Sequence, residues 1–448
     1  MNESPSSQQN VPWSNGPLRV TPDGHGLMHK NGAPFFWLGD TAWELFRRLT
    51  REEVNTYLAN RAGKGFNVIQ ACAIMGYSVG LDTPNAEGNL PLVDRDPTRP
   101  DVRAGNDFWD FVDFAIDTAA ANGLYVALLP VWGTYITGWG DAPDRQKSFD
   151  PENIRVYGTW IAERYRDRPN IIWVNGGDCK EGFEEWCALG AALRSADSAH
   201  LIAYHPAGCR TSSTQYHEQD WLDINMCQSG HSLGRTSDEN HHFIDTDYAL
   251  EPVKPCLDAE PCYEGLPKGI QLKPALGYWR DPDVRRRAYW AVFAGACGHT
   301  YGNNSVHLFY GPDDEFNQDA EIDWPEAMDA PGAFQMVHLK NLMLSRPLLG
   351  RVPDQSIIDG EPGAGYEHLR ATRGDGFAMV YTATGRSFGV QMGKIAGDQV
   401  TAQWYSPRTG ENTPIGECKN SGVKTFDPPG EEAYGNDWVL VLDSPQAG

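Results

Sequence analysis

Two carboxylates stand where acid–base chemistry needs them. Asp178 follows the apolar run at 171–177 (IIWVNGG), and Glu260 follows residues 255–259 (PCLDA). Each closes a short strand-like stretch, so each is expected at a strand end. Hydrolysis of a glycosidic bond with retention of configuration needs two carboxyls about 5–5.5 Å apart, one protonated and one ionised. In that chemistry Asp178 protonates the leaving oxygen and then activates water, while Glu260 attacks the anomeric carbon. Each residue has a plainer alternative. Asp178 also suits an N-cap for the helix suggested by EGFEEWCALG, and Glu260 a salt bridge inside a barrel.

The elements that must position this pair alternate in type. Between about 33 and 346, short apolar runs predict strands at 35–39, 67–75, 125–132, 171–177, 201–205, 223–228, 255–260 and 300–308. Helical signals lie between them. Thr50 and Glu53 have capping-box spacing. Phe108, Phe111, Val112, Ala115, Ile116 and Ala119 form a helical stripe that Asn122-Gly123 stops. Asp150-Pro151 and Asp281-Pro282 open two further helices. Eight strand–helix alternations predict an α/β fold, a (β/α)8 TIM barrel. A doubly wound sheet is the competitor, but WLGDTAWELF at the first strand carries no glycine-rich phosphate loop. After Arg346-Pro347 the helical period ends. YEHLRAT, GFAMVYTA, SFGVQM, VTAQWYS and DWVLVLD then predict a small C-terminal antiparallel β-sandwich. The expected division is a disordered tail over 1–15, the catalytic barrel over 16–350 and the sandwich over 351–448.

Function in a barrel sits at the C-terminal strand ends. Those ends supply Asp40 and Trp43, Gln70, Trp132, Asn175, His205, Gln228 with His231, and His307, and these are the expected substrate-binding residues. Amides, imidazoles and indoles suit a neutral polyhydroxylated ligand, whereas a phosphate would demand a concentration of Lys and Arg. Trp139 falls in the same region as Trp43 and Trp132, in a chain with 15 tryptophans. Asp40 alternatively caps the turn before Trp43. Asp238, His241, His242 and Asp245 have helical spacing and ligand-type side chains, but read as a solvated helix face. No metal or organic cofactor is expected, because the two-carboxylate reaction requires none.

Composition narrows the classes. Lys and Arg total 37 against 60 Asp and Glu, a formal charge of −23, which disfavours nucleic acid and anionic membranes as partners. There is no apolar run of membrane-spanning length. The polar start, MNESPSSQQNVPW, reads as a tail rather than a signal peptide, and nine scattered cysteines read as reduced thiols. Together these give the expectation of a cytoplasmic protein. No G-x-S-x-G elbow or H-E-x-x-H motif occurs, which disfavours serine hydrolases and zincins. Nothing in the sequence sets the oligomeric state.

The opening FFWLGDTAWELFRRLTREEVNTYLANRAGKGFNVIQ closely resembles the start of the apiosidase-like glycoside hydrolases, and WYSPRTGE at 404–411 resembles their C-terminal domain, labelled collagen-binding. The resemblance covers nearly the whole chain. It implies a (β/α)8 catalytic domain, with the acid/base Asp of an I-I-W-x-x-G-G-D strand at Asp178. It also implies a nucleophile from a P-x-x-D-x-E-x-x-Y/E setting at Glu260. The implied activity is release of a terminal apiose or a similar furanose from a plant-derived glycan or glycoside. Another terminal sugar is the alternative, and a non-catalytic carbohydrate-binding protein the reading from a different class.

Overall fold

The computed structural model describes residues 11–77, 79–138, 146–231, 239–269, 274–315 and 317–445. Eight parallel strands close on themselves in chain order: β1 (Trp37–Thr41), β2 (Val68–Ile74), β3 (Tyr125–Val131), β4 (Ile171–Cys179), β5 (Ile202–Pro206), β6 (Ile224–Gln228), β7 (Cys256–Asp258) and β8 (Gly298–Tyr301). β8 pairs with β1 to complete the barrel. A helix follows each strand: α1 (Arg51–Gly63), α2 (Phe108–Ala121), α3 (Asn153–Tyr165), α4 (Phe183–Ala196), the single turn α5 (Ser213–Tyr216), α6 (His241–Tyr248), α7 (Asp281–Phe293) and α8 (Pro331–Leu344). Local chemistry sets these boundaries. Thr50 and Glu53 cap α1 reciprocally, and Asp107 and Asp110 do the same for α2. The predicted α2 stripe is its buried face. β2 and β3 are buried at every position, which is why they read as continuous apolar runs.

The barrel and the segment that precedes it depart from the sequence expectations in three places. β8 begins at Gly298 and ends at Tyr301, well short of the expected 308. A Cβ on Gly298 would lie 2.2 Å from the Trp37 carbonyl oxygen, so the close approach to β1 requires glycine. That glycine interrupts the apolar run and hides the start of the strand. β1 begins two residues later than expected, because Pro34–Phe35 belong to a small antiparallel sheet with Leu18–Val20 and Leu27–His29. Residues 1–10 of the expected tail lie outside the described residues, but its end is ordered: Pro12–Asn15 form a 3-10 turn, with Trp13 edge-on to Tyr125 at the first position of β3. Phe35 meets the same tyrosine, so this segment closes the N-terminal end of the barrel.

The C-terminal unit is a six-stranded antiparallel sheet facing a three-stranded one. Strand alternation gives the larger sheet two buried faces. Ala378, Val380, Leu440 and Leu442 point to the smaller sheet. Phe377, Met379, Tyr381, Val439 and Val441 point to Tyr289 and Phe293 of α7 and Met336 and Leu339 of α8. Four strands, the two-residue Val352–Pro353 and Ile358–Asp359 and the longer Asn412–Lys419 and Val423–Phe426, were not expected from the sequence. Asn412–Lys419 is exposed at nearly every position and contains Pro414 and Gly416, so it shows no apolar alternation. Its pairing with Gln399–Tyr405 holds it in place.

Candidate active site

β4 ends in a bulge that sets Asp178. Gly176, Gly177 and Asp178 all have positive φ, at 89°, 132° and 51°, and the pairing with β5 shifts register between Gly176 and Cys179. Only glycine fits the first two positions. A Cβ at Gly176 would lie 2.3 Å from the His205 carbonyl oxygen, and one at Gly177 would lie 3.0 Å from the Trp132 ring. The glycines therefore let β4 approach its neighbours, not a ligand, and the bulge re-aims the following side chain. Aspartate tolerates the left-handed conformation better than most residues. The N-cap of α4 is Gly182, so Asp178 has no capping role.

Glu260 stands two residues beyond β7 and is almost completely buried. His231 Nε2 lies 2.8 Å from its Oε1, and His205 Nε2 lies 2.9 Å from its Oε2, the latter off-line for a linear hydrogen bond. Burial alone would raise the Glu260 carboxyl, but the two imidazoles outweigh it and hold the group well below the usual carboxylate range. Asp178 goes the other way. The residue as a whole is exposed but lines the cavity between the strand ends, and desolvation by the surrounding protein, then the Glu260 charge, push its carboxyl up to about 6. The Gly208 N–H and the nearby His205 and His231 oppose the rise without cancelling it. Asp258, the other carboxyl of this segment, is fully buried and accepts from Ser229 Oγ at 2.7 Å and Asn240 Nδ2 at 2.9 Å.

Trp43 packs against Trp132 with centroids 5.2 Å apart and meets the His205 ring edge-on at 5.2 Å. His307 is pushed down to about 4 by burial and then by His231, and packs against Tyr263. Gln228 borders a cavity of about 780 Å³ that opens beside Asp178 and is also lined by Gly208, Arg210 and Phe243. Its Oε1 is buried without a hydrogen-bond partner among the described residues. Asp178, Glu260, Trp43, Trp132, His205, Gln228, His231 and His307 thus gather at one end of the barrel.

Three expected ligand residues do not join them. Asp40 is fully buried and points outward to α1, where Tyr57 Oη donates to it at 2.5 Å and Arg61 Nε lies 3.0 Å away. It is a structural ion pair, because adjacent strand residues face opposite sides of the sheet. Asn175 likewise points outward, donating from Nδ2 to the Trp186 carbonyl of α4 at 2.8 Å. Gln70 faces inward but is covered; its Nε2 donates to the Ala259 carbonyl at 3.0 Å and braces the peptide next to Glu260. Trp139 and Asp238 lie outside the described residues.

Two tyrosines escaped the sequence reading. Burial and then the charge of Glu260 raise Tyr263 well above the ordinary tyrosine range, and its ring packs on His231 at 4.2 Å. It occupies the Y position of the E-x-x-Y motif, so the sequence did carry a signal for it. Tyr77 is pushed up to about 12 by burial and then by Asp178 and Glu260 together, which places it near both. Gln318 Nε2 donates to Tyr77 Oη at 3.2 Å, and Tyr310 Oη donates to Gln318 Oε1 at 2.9 Å. This chain joins the loop after β2 to the loops after β8, and no local pattern announces it.

Solved structures similar to this chain include glycoside hydrolases. One described as "Glycoside hydrolase" is 39% identical over 98% of this chain and 99% of its own, with a TM-score of 0.91. A glycoside hydrolase family 5 structure from Bacteroides vulgatus ATCC 8482 is 38% identical over 97% and 95% of the two chains, also with a TM-score of 0.91. A family 39 glycoside hydrolase from Bacteroides cellulosilyticus WH2, 8% identical over 95% of this chain and 82% of its own with a TM-score of 0.52, shares the fold. The protein is a glycoside hydrolase built on a parallel barrel. More specifically, residues 21–350 match the model "Apiosidase-like, catalytic domain", and the chain belongs to that family. Residues 352–443 match "Putative collagen-binding domain of a collagenase". The search of curated proteins gives no match.

Proposed function

We propose that the protein is a retaining, exo-acting glycoside hydrolase that removes a terminal apiose or a similar furanose from a plant-derived glycan or glycoside. The observation that carries this reading is the opposed ionisation of the two carboxyls. Asp178 stays protonated up to about pH 6, while Glu260 is held ionised by His205 and His231. Asp178 donates its proton to the glycosidic oxygen as Glu260 attacks the anomeric carbon and forms a glycosyl–enzyme ester. The Asp178 carboxylate then takes a proton from water, which attacks the same carbon and releases Glu260. His205 and His231 keep the nucleophile charged and oriented. Trp43 and Trp132 offer apolar faces to the sugar's C–H surface. Exo action needs loops joined across the rim of the barrel, and the Tyr77–Gln318–Tyr310 hydrogen bonds tie the loop after β2 to the loops after β8. The family's name supports apiose.

The test compares wild type with Glu260→Gln on a panel of apiosides, arabinofuranosides, galactosides, glucosides and xylosides. The anomer released first is read by proton NMR. Release by wild type with retained configuration, abolished in the variant, is the expected result, and the active member of the panel names the sugar. Equal release by both proteins would remove Glu260 from the mechanism. Inversion would rule out the ester. Sugar binding without release of any panel sugar would favour a carbohydrate-binding protein.

A further inference from the structure

The loop after β2 brings to the barrel mouth a hydroxyl that the chemistry above does not use. Tyr77 lies edge-on to Trp132, with ring centroids 6.5 Å apart and planes 78° apart. The Trp132 ring lies against Gly177, the residue before Asp178, and 6.3 Å from the ring of His205, which reaches Glu260. Tyr77 therefore stands on the wall of the site. Both carboxyls act on it there: burial, then Asp178 and Glu260, push its hydroxyl up to about 12. The group stays protonated and adds no third negative charge beside them.

The hydroxyl is held from the loops after β8. Gln318 Nε2 donates to Tyr77 Oη at 3.2 Å. Tyr310, fully buried, shares its Oη proton between Gln318 Oε1 at 2.9 Å and Asn304 Oδ1 at 2.7 Å. Asn304 Nδ2 donates in turn to the Gln318 carbonyl at 3.1 Å. Gln318 and Asp319 have φ of 47° and 54°, a left-handed backbone that residues with side chains rarely adopt. Such a conformation persists where the surroundings impose it, and it recurs at ligand clamps. The flank of Asp178 offers a sugar no comparable group. Gly176, Gly177 and Gly208 have no side chains, Trp43 and Trp132 present carbon faces, and His205 and His231 are committed to Glu260.

We propose that Tyr77 is a further catalytic residue: its Oη accepts a hydrogen bond from the sugar hydroxyl on the carbon next to the anomeric centre. Gln318 and Tyr310 are positioning residues that keep Oη in place. The inference rests on the retaining mechanism proposed above. As the glycosidic bond breaks, positive charge builds on the anomeric carbon and makes the neighbouring hydroxyl a better donor. Its bond to Oη is then stronger in the transition state than in the bound substrate, so it acts on kcat more than on KM.

The test measures kcat and KM for wild type and Tyr77→Phe on the active glycoside of the panel and on its 2-deoxy analogue. Phenylalanine keeps the ring on Trp132 and removes only the hydroxyl. On the full substrate, kcat should fall by about 30-fold with KM within about 2-fold. On the 2-deoxy substrate the two proteins should differ by less than about 2-fold, because the bond is absent from both. Gln318→Leu should lower kcat by about 10-fold on the full substrate alone, and adding it to Tyr77→Phe should cost nothing more. The same loss on both substrates would mean a structural role and overturn the proposal. So would Tyr77→Phe as active as wild type; either result leaves the glycosidase reading standing. A wild type that releases no panel sugar would overturn both. Should Tyr77→Phe fold poorly, Gln318→Leu makes the same comparison of the two substrates from outside the sugar's reach.

Discussion

Neutralising Glu260 should lower the pKa of Asp178, and the size of the fall tests whether the two carboxyls act as a pair. Asp178 rises from 3.8 to about 6, first through burial and second through the Glu260 charge. Two carboxyls at the about 5.5 Å separation of a retaining site interact by about 3 kcal/mol at an effective dielectric constant of about 20. That corresponds to about two pKa units. Asp178 has an exposed surface, and solvent screening there reduces the interaction to about one unit. Glu260→Gln should therefore bring Asp178 from about 6 to about 5, with burial accounting for what remains above 3.8. The assay is a carbon-13 NMR titration of aspartate-labelled Glu260→Gln, with Asp178→Asn in each background to identify the signal. In wild type, kcat/KM should fall as pH rises through about 6, because Asp178 must arrive protonated. It should hold at pH values well below 4.5, because Glu260 stays ionised there. An Asp178 titration that moves by less than about 0.3 units in Glu260→Gln would refute the pairing and with it the double displacement.

Three further outcomes follow from the packing. Gly176→Ala must place a Cβ 2.3 Å from the His205 carbonyl at φ +89°, so the bulge must rearrange; kcat/KM should fall by about 100-fold, and a variant crystal structure should show Asp178 displaced. Asp40→Ala leaves the buried Arg61 unpaired and should cost about 3–5 kcal/mol in chemical denaturation, while KM of the folded fraction stays unchanged. A change confined to KM would return Asp40 to the substrate site. Truncation after Gly350 would bare Tyr289, Phe293, Met336 and Leu339, and should yield aggregated protein in size-exclusion chromatography.

The sequence by itself determined the fold class and the two carboxylates at its centre. The barrel was legible because strands buried on both faces leave continuous apolar runs, and capped helices leave paired signals such as Thr50 with Glu53. Asp178 and Glu260 were legible because both lie where such runs stop. Side-chain direction was not legible. Asp40, Asn175 and Gln70 sit at the same strand ends as the residues that gather around Asp178 and Glu260, but a strand turns alternate side chains to opposite faces, so shifting an assigned boundary by one residue changes which face it names. β1 was misplaced by two residues and β4 carries a bulge, so counting from strand ends could not separate these three from His205 or Gln228. Contacts between distant segments were equally hidden. His241 looked like part of a wet helix face until His368, 127 positions later, covered it. Tyr77 reaches Asp178 and Glu260 only once the barrel has closed. Local patterns record which groups are buried and which backbone conformations they prefer, while the partners that shift a pKa or orphan a nitrogen come from segments that only the tertiary fold brings together.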